Sequence, residues 1–501
     1  MLKRNLAANF IGQGWVALMG LLFIPLYIHY LGIEAYGLIG LFAVIQAWLA
    51  LLDMGMTPTL SREMARFTAG EHSGQSIRDL LRSIEIIVAG IALLIAVGIW
   101  LAAEWLASDW LQAETLPLPI VVQAFAIMGV VTALRFVENI YRSTVVGLQQ
   151  QVLLNLINAI MATLRGVGAV VILVWFSATI QAFFIWQGFI SITTVVVLVI
   201  ATYQAIPEKQ LCGHFSFLAL SNVGRFAGGM MGITFLSLLL TQIDKILLAK
   251  LLPLSEYGYY ALAFAVAAIL YQFIGPITQA FYPRLCELQA KGETEQFYEA
   301  YHKGAQLVTV VAGSAALVVI LFADTLLRLW TQDEALVDRT ATLLSVLMLG
   351  NLLNGLMWIP YQAQLAYGWT SYTFWVNVVS VFIIVPAVWW FTPVYGAVGA
   401  AWIWVALNAG YVFIGIHFMY RRILITEKWY WYWFDIFIPL SAGLATVSVI
   451  KWLFPETEGI IMQLSKLVIS SIVTLLVVAV STKYTRVIVW NYCKRFRVLE
   501  K

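Results

Sequence analysis

Long apolar runs recur along almost the whole chain and are separated by short polar connections. A bilayer core of roughly 30 Å needs about 20 apolar residues per helix, so each of these runs is long enough to span a membrane. The pattern predicts an all-α polytopic membrane protein with about 14 transmembrane helices. The predicted spans cover residues 10–31, 36–58, 83–106, 118–138, 152–175, 180–201, 218–241, 257–279, 305–326, 340–361, 371–391, 397–419, 433–454 and 462–481.

Composition agrees with this interpretation and argues against several classes of protein. Of the residues, 62% are hydrophobic and only 11% are charged. A net charge of +3 is too small to favour a nucleic-acid partner. The cysteines Cys212, Cys286 and Cys493 fit no metal-ligand spacing, and no catalytic or nucleotide-binding motif is found. The sequence therefore predicts no metal, no cofactor and no enzymatic activity.

The distribution of lysine and arginine predicts the orientation of the chain in the membrane. Cytoplasmic loops carry an excess of these residues. If the N-terminus is cytoplasmic, most of the 29 lysines and arginines lie in inner connections, among them Arg78, Arg421, Arg422 and the basic C-terminal tail. The outer loop 104–115 carries only acidic charges. Both termini are therefore expected in the cytoplasm.

The chain also contains an internal repeat with an offset of 221 residues. EAYGLIGLFAV at 34–44 resembles SEYGYYALAFAV at 255–266, which aligns Gly37 with Gly258. The offset spans six predicted helices, so both copies cross the membrane in the same direction, as in transporters with parallel repeats and a site at their interface. The sequence predicts three parts: a six-helix N-terminal bundle over 1–215, a second six-helix bundle over 216–432, and two additional helices with a basic tail over 433–501.

Arg165 lies unexpectedly deep inside a predicted span. An arginine at a helix centre costs about 2.5–3.5 kcal/mol, so such residues usually face a bundle interior or a wet cavity. At 1.5 Å per residue, Arg165 is roughly 20 Å from the cytoplasmic start of its helix. Two interpretations remain open. Arg165 either binds an anion in a cavity or forms a structural salt bridge with Asp53 or Glu138.

Other charged residues within the predicted spans have a structural and a functional interpretation. Arg135, Glu138 and Arg142 share one helical face, because they are spaced at i, i+3 and i+7. They form either a ladder that neutralises itself or part of a binding site. Arg225 and Asp53 lie near the ends of predicted spans. The Arg225 side chain could extend to the membrane interface, and the Asp53 carboxylate could pair with an arginine.

Together these charges suit an anionic cargo that enters from the cytoplasm. Arginine suits phosphate because its planar fork donates two hydrogen bonds at once. The acidic residues lower the cost of an empty cationic cavity, and they could bind H⁺ or Na⁺ as a coupling ion. We predict that Arg135, Arg165 and Arg225 bind substrate, and that Asp53 and Glu138 are ion-coupling residues.

Several segments resemble bacterial polysaccharide-repeat flippases of the multidrug/oligosaccharidyl-lipid/polysaccharide exporter superfamily, such as O-antigen flippases. In order along residues 5 to 420 they are NFIGQGWVALMGLLFIPLYIHYLGIEAYGLIGLF, LLDMGMTPTLSREMAR, YRSTVVGLQQQVLLN, TQIDKILLAKLLPLSEYGYYALA and VYGAVGAAWIWVALNAGYVF. The resemblance implies two bundles in a V that alternate access. It also implies an inner-membrane protein that moves undecaprenyl-diphosphate-linked oligosaccharide from the cytoplasmic to the periplasmic leaflet, with polysaccharide assembly proteins as candidate partners. In addition, it implies a groove for the prenyl tail formed by the last two helices.

Two other functions share parts of this pattern. A multidrug and toxin extrusion antiporter has the same architecture, but organic cations would prefer a net acidic cavity. A membrane glycan polymerase or ligase usually needs large outer loops with catalytic groups, and the outer loops here are short. No ATPase module is recognised, so the energy for transport is expected from an ion gradient or from the gradient of the cargo itself.

Overall fold

The computed structural model describes residues 2–53, 56–68, 70, 73–206, 213–217, 235, 238–454 and 459–487. Over these ranges the regular elements are helices, and the one pairing of β type is an isolated bridge between Gln112 and Pro253. Apolar side chains dominate the exposed surface of the long helices, as the bilayer requires. The all-α polytopic fold predicted from the sequence is confirmed.

The chain divides into two compact units, Met1–Gly258 and Tyr259–Lys501. The bundles predicted over 1–215, 216–432 and 433–501 stay a prediction. The helices of the first unit are α1 Leu2–Leu22, α2 Ile24–Leu31, α3 Ile33–Leu52, α4 Met56–Thr68, α5 Gly74–Trp105, α6 Leu118–Gly147, α7 Gln151–Trp175, α8 Ile180–Ala205, α9 238–251 and the start of α10 Leu254–Ala267, with a π-helical turn at Leu106–Trp110.

The second unit continues the helical pattern with three π-helical segments. Its helices are the rest of α10, α11 Leu270–Lys291, α12 Thr294–Val308, α13 Ser314–Leu321, α14 Ala323–Thr331, α15 Glu334–Leu356, α16 Trp358–Ala366, α17 Thr370–Gly410, α18 Ile416–Met419, α19 Lys428–Tyr430, α20 Ile438–Leu453 and α21 Ile460–Ser481. The π-helical segments are Thr309–Gly313, Tyr411–Gly415 and Trp431–Phe437.

Within the described residues, eleven helical stretches are long and apolar enough to cross a membrane. Predicted spans 371–391 and 397–419 fall in one such stretch, Ser371–Met419. Gly396 interrupts this stretch with a φ of 60°, a backbone conformation that glycine adopts without the steric cost a side chain would bring. Predicted span 36–58 corresponds to the shorter apolar helix Ile33–Leu49. Most of predicted span 218–241 lies outside the described residues, so the count of about 14 remains a prediction.

Helix α6 lies at the centre of the first unit and packs against α4, α5 and α8. Its apolar face joins Phe136 and Ile140 to Leu81 of α5 and Met64 of α4 in one buried cluster. The neighbouring helices begin at side-chain caps: Ser73 accepts a hydrogen bond from the backbone of Ser76 at the start of α5, and Thr179 caps α8. Because this apolar face packs against its neighbours, the polar residues on the opposite face of α6 are held in a defined position.

The two copies of the sequence repeat contact one another at matching positions. A Cβ added at Gly37 would lie 2.8 Å from the backbone oxygen of Leu254, and one added at Gly258 would meet the backbone oxygen of Ile33. Ile33 and Leu254 are themselves related by the repeat offset. The contact is therefore reciprocal, and all four residues lie within the first unit.

Candidate functional site

Four charged side chains on α6 and α7 come together, and we call them the arginine cluster: Arg135, Glu138, Arg142 and Arg165. The first three share one face of α6 because of their spacing. Arg165 reaches the same face from α7, which follows α6 after a short connection. Arg135, Glu138 and Arg165 were predicted as site residues from their sequence positions, and the structure brings these three together.

The Glu138 carboxylate lies between two guanidiniums. Arg165 Nη2 donates to Glu138 Oε1 at 2.9 Å and to Oε2 at 3.2 Å, and Arg142 Nη2 donates to Oε2 at 3.2 Å. The Glu138 side chain is 3% exposed, whereas those of Arg165 and Arg142 are 21% and 27% exposed. A single carboxylate therefore balances only one of the two cations, and both cations keep part of their surface accessible.

Arg135 is held by neutral groups. Its Nη1 donates to the amide oxygen of Gln46 at 2.5 Å, and its Nη2 donates to that of Gln187 at 3.2 Å. The guanidinium lies 5.0 Å from the ring centre of Phe42, a favourable cation–π distance. In the part of the chain that the structure describes, no carboxylate lies within 4.0 Å of it. Arg135 is therefore held by amide oxygens and an aromatic ring and not by a direct ion pair.

Three buried nitrogen atoms in and beside the arginine cluster have no hydrogen-bond partner in the described structure: Nε of Arg135, Nε of Arg165 and Nε2 of Gln46. Buried donors are normally satisfied by protein or by ordered water, so unsatisfied ones need an explanation. The cluster holds three guanidiniums and one carboxylate and is cationic. Such a group can donate several charge-assisted hydrogen bonds to an anion.

Two predicted site residues are not part of the arginine cluster. The Asp53 carboxylate accepts hydrogen bonds from the backbone of Thr57 at 3.1 Å and from its hydroxyl at 2.5 Å, at the start of α4. This is the local bonding of a side chain that stabilises a helix start. Arg225 lies outside the described residues. The ion-coupling role of Asp53 and the substrate-binding role of Arg225 stay predictions.

The amides around the arginine cluster were not identified from the sequence. Gln46 and Gln187 hold Arg135, and Asn158 accepts a hydrogen bond from Arg142. Each is a single amide within an apolar run, which is a weak signal because such residues often hydrogen-bond between membrane helices without a ligand. The sequence does not show which of them face an arginine.

An open apolar groove of about 1190 Å³ lies along α17 in the second unit. Its lining includes Tyr372, Trp375 and Trp402 from both arms of α17, which bends at Gly396, and Phe418 from α18. A surface of this kind suits a hydrocarbon chain. The groove between the last two helices that the resemblance implies stays a prediction.

The fold is that of known membrane transporters. A solved lipid II flippase MurJ, in an inward closed conformation, matches with a TM-score of 0.68 at 12% identity and covers 95% of this chain and 98% of that chain. An inward-facing multidrug resistance MATE family transporter of the MOP superfamily matches with a TM-score of 0.67 at 14% identity, over 82% of this chain and 96% of that one. These likenesses define a polytopic protein with the fold of this transporter class.

The chain belongs to the polysaccharide biosynthesis protein family, which matches residues 2–289. The MatE family matches residues 230–390. A relative from Shigella flexneri, named "Putative O-antigen transporter", is 20% identical over 377 residues, which are 75% of this chain and 87% of the relative. The resemblance to polysaccharide flippases seen in the sequence is confirmed, and the chain is a multi-pass membrane protein of the flippase and transporter class.

Proposed function

We propose that the protein is an alternating-access flippase for undecaprenyl-diphosphate-linked oligosaccharide repeat units. It moves them from the cytoplasmic to the periplasmic leaflet of the bacterial inner membrane, with both termini in the cytoplasm. The observation that carries this proposal is the arginine cluster, a cationic group of three guanidiniums around one carboxylate inside apolar helices. Membership of a polysaccharide biosynthesis family supports a glycan cargo.

The cluster suits a diphosphate better than it suits a neutral sugar. Each guanidinium presents a planar set of N–H donors that matches two phosphate oxygens. Arg135 and Arg165 each keep a buried Nε without a partner, so each has a donor available for the cargo. We assign both to the diphosphate. We also keep Arg225 as a third contact, although that residue lies outside the described part of the chain.

Glu138 acts in this proposal as the internal anion of the empty protein. It bonds Arg165 and Arg142 when no cargo is present, which limits the repulsion between the two cations. An arriving diphosphate competes with this carboxylate for the same N–H groups. Release of the cargo lets Glu138 take its place again. The further role of Glu138 in binding H⁺ or Na⁺ stays a prediction.

A second candidate is a cation or drug antiporter, which the match of residues 230–390 to MatE favours. The arginine cluster opposes it, because an organic cation would be repelled by the excess of guanidinium charge. A binding test with both kinds of ligand separates the two functions. A cation that binds the purified protein competitively with a lipid diphosphate would favour the antiporter.

Substitution of the cluster arginines tests the flippase proposal. Arg135→Ala and Arg165→Ala should each slow transfer of a fluorescent polyprenyl-diphosphate oligosaccharide across proteoliposomes by about 10- to 100-fold, because a charge-assisted hydrogen bond contributes about 1.5–3 kcal/mol. Arg165→Lys keeps the charge without the fork and should be intermediate. Arg284→Ala is the matched control, since Arg284 forms an exposed pair with Glu287 at 2.8 Å. Unchanged transfer by both cluster variants would refute the proposed site.

A further inference from the structure

The second unit contains a buried polar site that the proposed function does not use. We call it the histidine triad: His302 of α12, Glu427 before α19, and Asp435 of the π-helical segment Trp431–Phe437. His302 Nδ1 lies 2.5 Å from Asp435 Oδ2, and His302 Nε2 lies 3.1 Å from Glu427 Oε2. His302 is 3% exposed and Asp435 is fully buried. Both ring nitrogens therefore face a carboxylate.

This geometry requires an additional proton. A neutral imidazole has one N–H, so it can donate to only one of two carboxylates. At the other contact, a nitrogen lone pair would face the lone pairs of a carboxylate oxygen in a buried place. Either an imidazolium between two carboxylates or a neutral imidazole with one protonated acid removes this conflict. Both arrangements contain one proton more than neutral histidine and two carboxylates.

The charged and titratable groups around the triad make loss of this proton unfavourable. Among the described residues, no lysine or arginine forms an ion pair with either carboxylate. Lys303, next to His302, is exposed, and Lys428 bonds the ring of His417 instead. The other titratable groups around the triad are tyrosines, one further acid and one lysine that lies 5.4 Å from the ring centre of Tyr484: Tyr298, Tyr301, Tyr420, Tyr430, Tyr432, Tyr484, Glu299 and Lys483. Without the proton, the buried Asp435 carboxylate and the partly exposed Glu427 carboxylate would both stay negative, with no lysine or arginine of the described chain paired to either.

The triad also connects separate elements of the second unit. Asp435 Oδ1 accepts a hydrogen bond from Gln306 of α12 at 2.8 Å. Gln306 in turn accepts one from the backbone of Tyr484, after α21, at 3.0 Å. The chain segments before α20 and after α21 are thus attached to α12 through one hydrogen-bonded group. Loss of the proton would weaken the hydrogen-bonded group that attaches these two segments to α12.

We propose that the histidine triad is a proton-binding site, and that the bound proton fastens α12 to the segments that flank the last two helices. The triad lies in the second unit, whereas the arginine cluster lies in the first. The proposed ligand is H⁺, because the two contacts between the imidazole and the carboxylates need one additional proton.

The pH dependence of stability tests the proposal on the full-length protein in detergent. A proton held by the folded state but not by the unfolded chain stabilises the fold at low pH, and this stabilisation is lost as the pH rises through the titration of the triad. One proton changes the ratio of folded to unfolded protein by up to about tenfold per pH unit. The thermal midpoint of the wild type should therefore exceed that of His302→Gln most in mildly acidic solution, below the ordinary histidine pKa of about 6.5, and approach it in alkaline solution.

Two further variants keep the test decisive. Asp435→Asn supplies an uncharged amide in place of the protonated acid, so it should fold and show a weaker pH dependence than the wild type, even if His302→Gln fails to fold. His417→Gln is the matched control, because His417 lies in the same unit and hydrogen-bonds Lys428 instead of a carboxylate. It should reproduce the wild-type profile. Parallel wild-type and Asp435→Asn profiles across the pH range would overturn the proposal.

Discussion

At the scale of single residues, the depth of Arg165 within its apolar run was the most informative feature of the sequence. It predicted a charge that faces inward, and it left a cavity ligand or a bond to Asp53 or Glu138 as the two interpretations. The structure shows the bond to Glu138. The same carboxylate also receives Arg142, so a salt bridge and an accessible cation coexist. Spacing along the sequence does not reveal that the Glu138 carboxylate bonds an arginine of α6 and an arginine of α7.

Glu138→Gln measures how strongly the cluster depends on this carboxylate. An amide cannot balance the two guanidiniums, so the free energy of unfolding should fall by about 1–3 kcal/mol, as expected when a charged hydrogen bond is lost. Adding Arg165→Gln should restore part of the loss, because it removes one of the unbalanced cations. Chemical or thermal unfolding of the single and double variants gives the coupling energy. Additive effects would show that the two side chains do not interact.

At the scale of helices, periodic apolar runs predicted most elements correctly, because length and hydropathy alone determine whether a helix can span a bilayer. The turn at Gly396 was also placed correctly, between predicted spans 371–391 and 397–419. The sequence did not predict the π-helical segments at Thr309–Gly313 and Trp431–Phe437. The histidine triad was missed because Glu427 and Asp435 lie 125 and 133 residues from His302 along the chain.

The reciprocal glycine contact gives a prediction about packing. Gly37→Ala and Gly258→Ala should each destabilise the protein by about 1–3 kcal/mol, because the new methyl group would overlap with backbone atoms that cannot move aside. Gly90→Ala is the control: its Cβ would meet nothing within 4 Å, and alanine favours a helix more than glycine does. Thermal midpoints of the purified variants check this. Equal midpoints for all three variants would contradict the close approach.

At the scale of the whole molecule, the sequence predicts orientation through the distribution of its basic residues, and this distribution is independent of any cargo. The fold agrees with known transporters at identities of 12% and 14%, so the architecture is preserved while most side chains differ. Fold alone therefore does not determine the cargo. Our proposal of an anionic lipid over an organic cation rests on a few charged residues of α6 and α7.

Cysteine labelling tests the predicted orientation. In a variant without the native cysteines, Ser108→Cys should react with a membrane-impermeant maleimide in intact spheroplasts, because the acidic loop around this exposed residue is predicted to face outward. Thr426→Cys, exposed in a basic connection, should react only after the membrane is permeabilised. The opposite pattern would place the termini outside and would reverse the direction in which the arginine cluster loads.

The reciprocal contact of Gly37 and Gly258 constrains how this gene can diverge. After a duplication, each copy is usually free to accumulate its own substitutions. Here the glycine of each copy leaves room for main-chain atoms of the other, at Leu254 and Ile33. Shortening a neighbouring side chain cannot make up for a larger residue, because the obstacle is peptide backbone. Both copies of the repeated motif are therefore expected to retain glycine at this position, even where substitutions elsewhere remove the similarity between the copies.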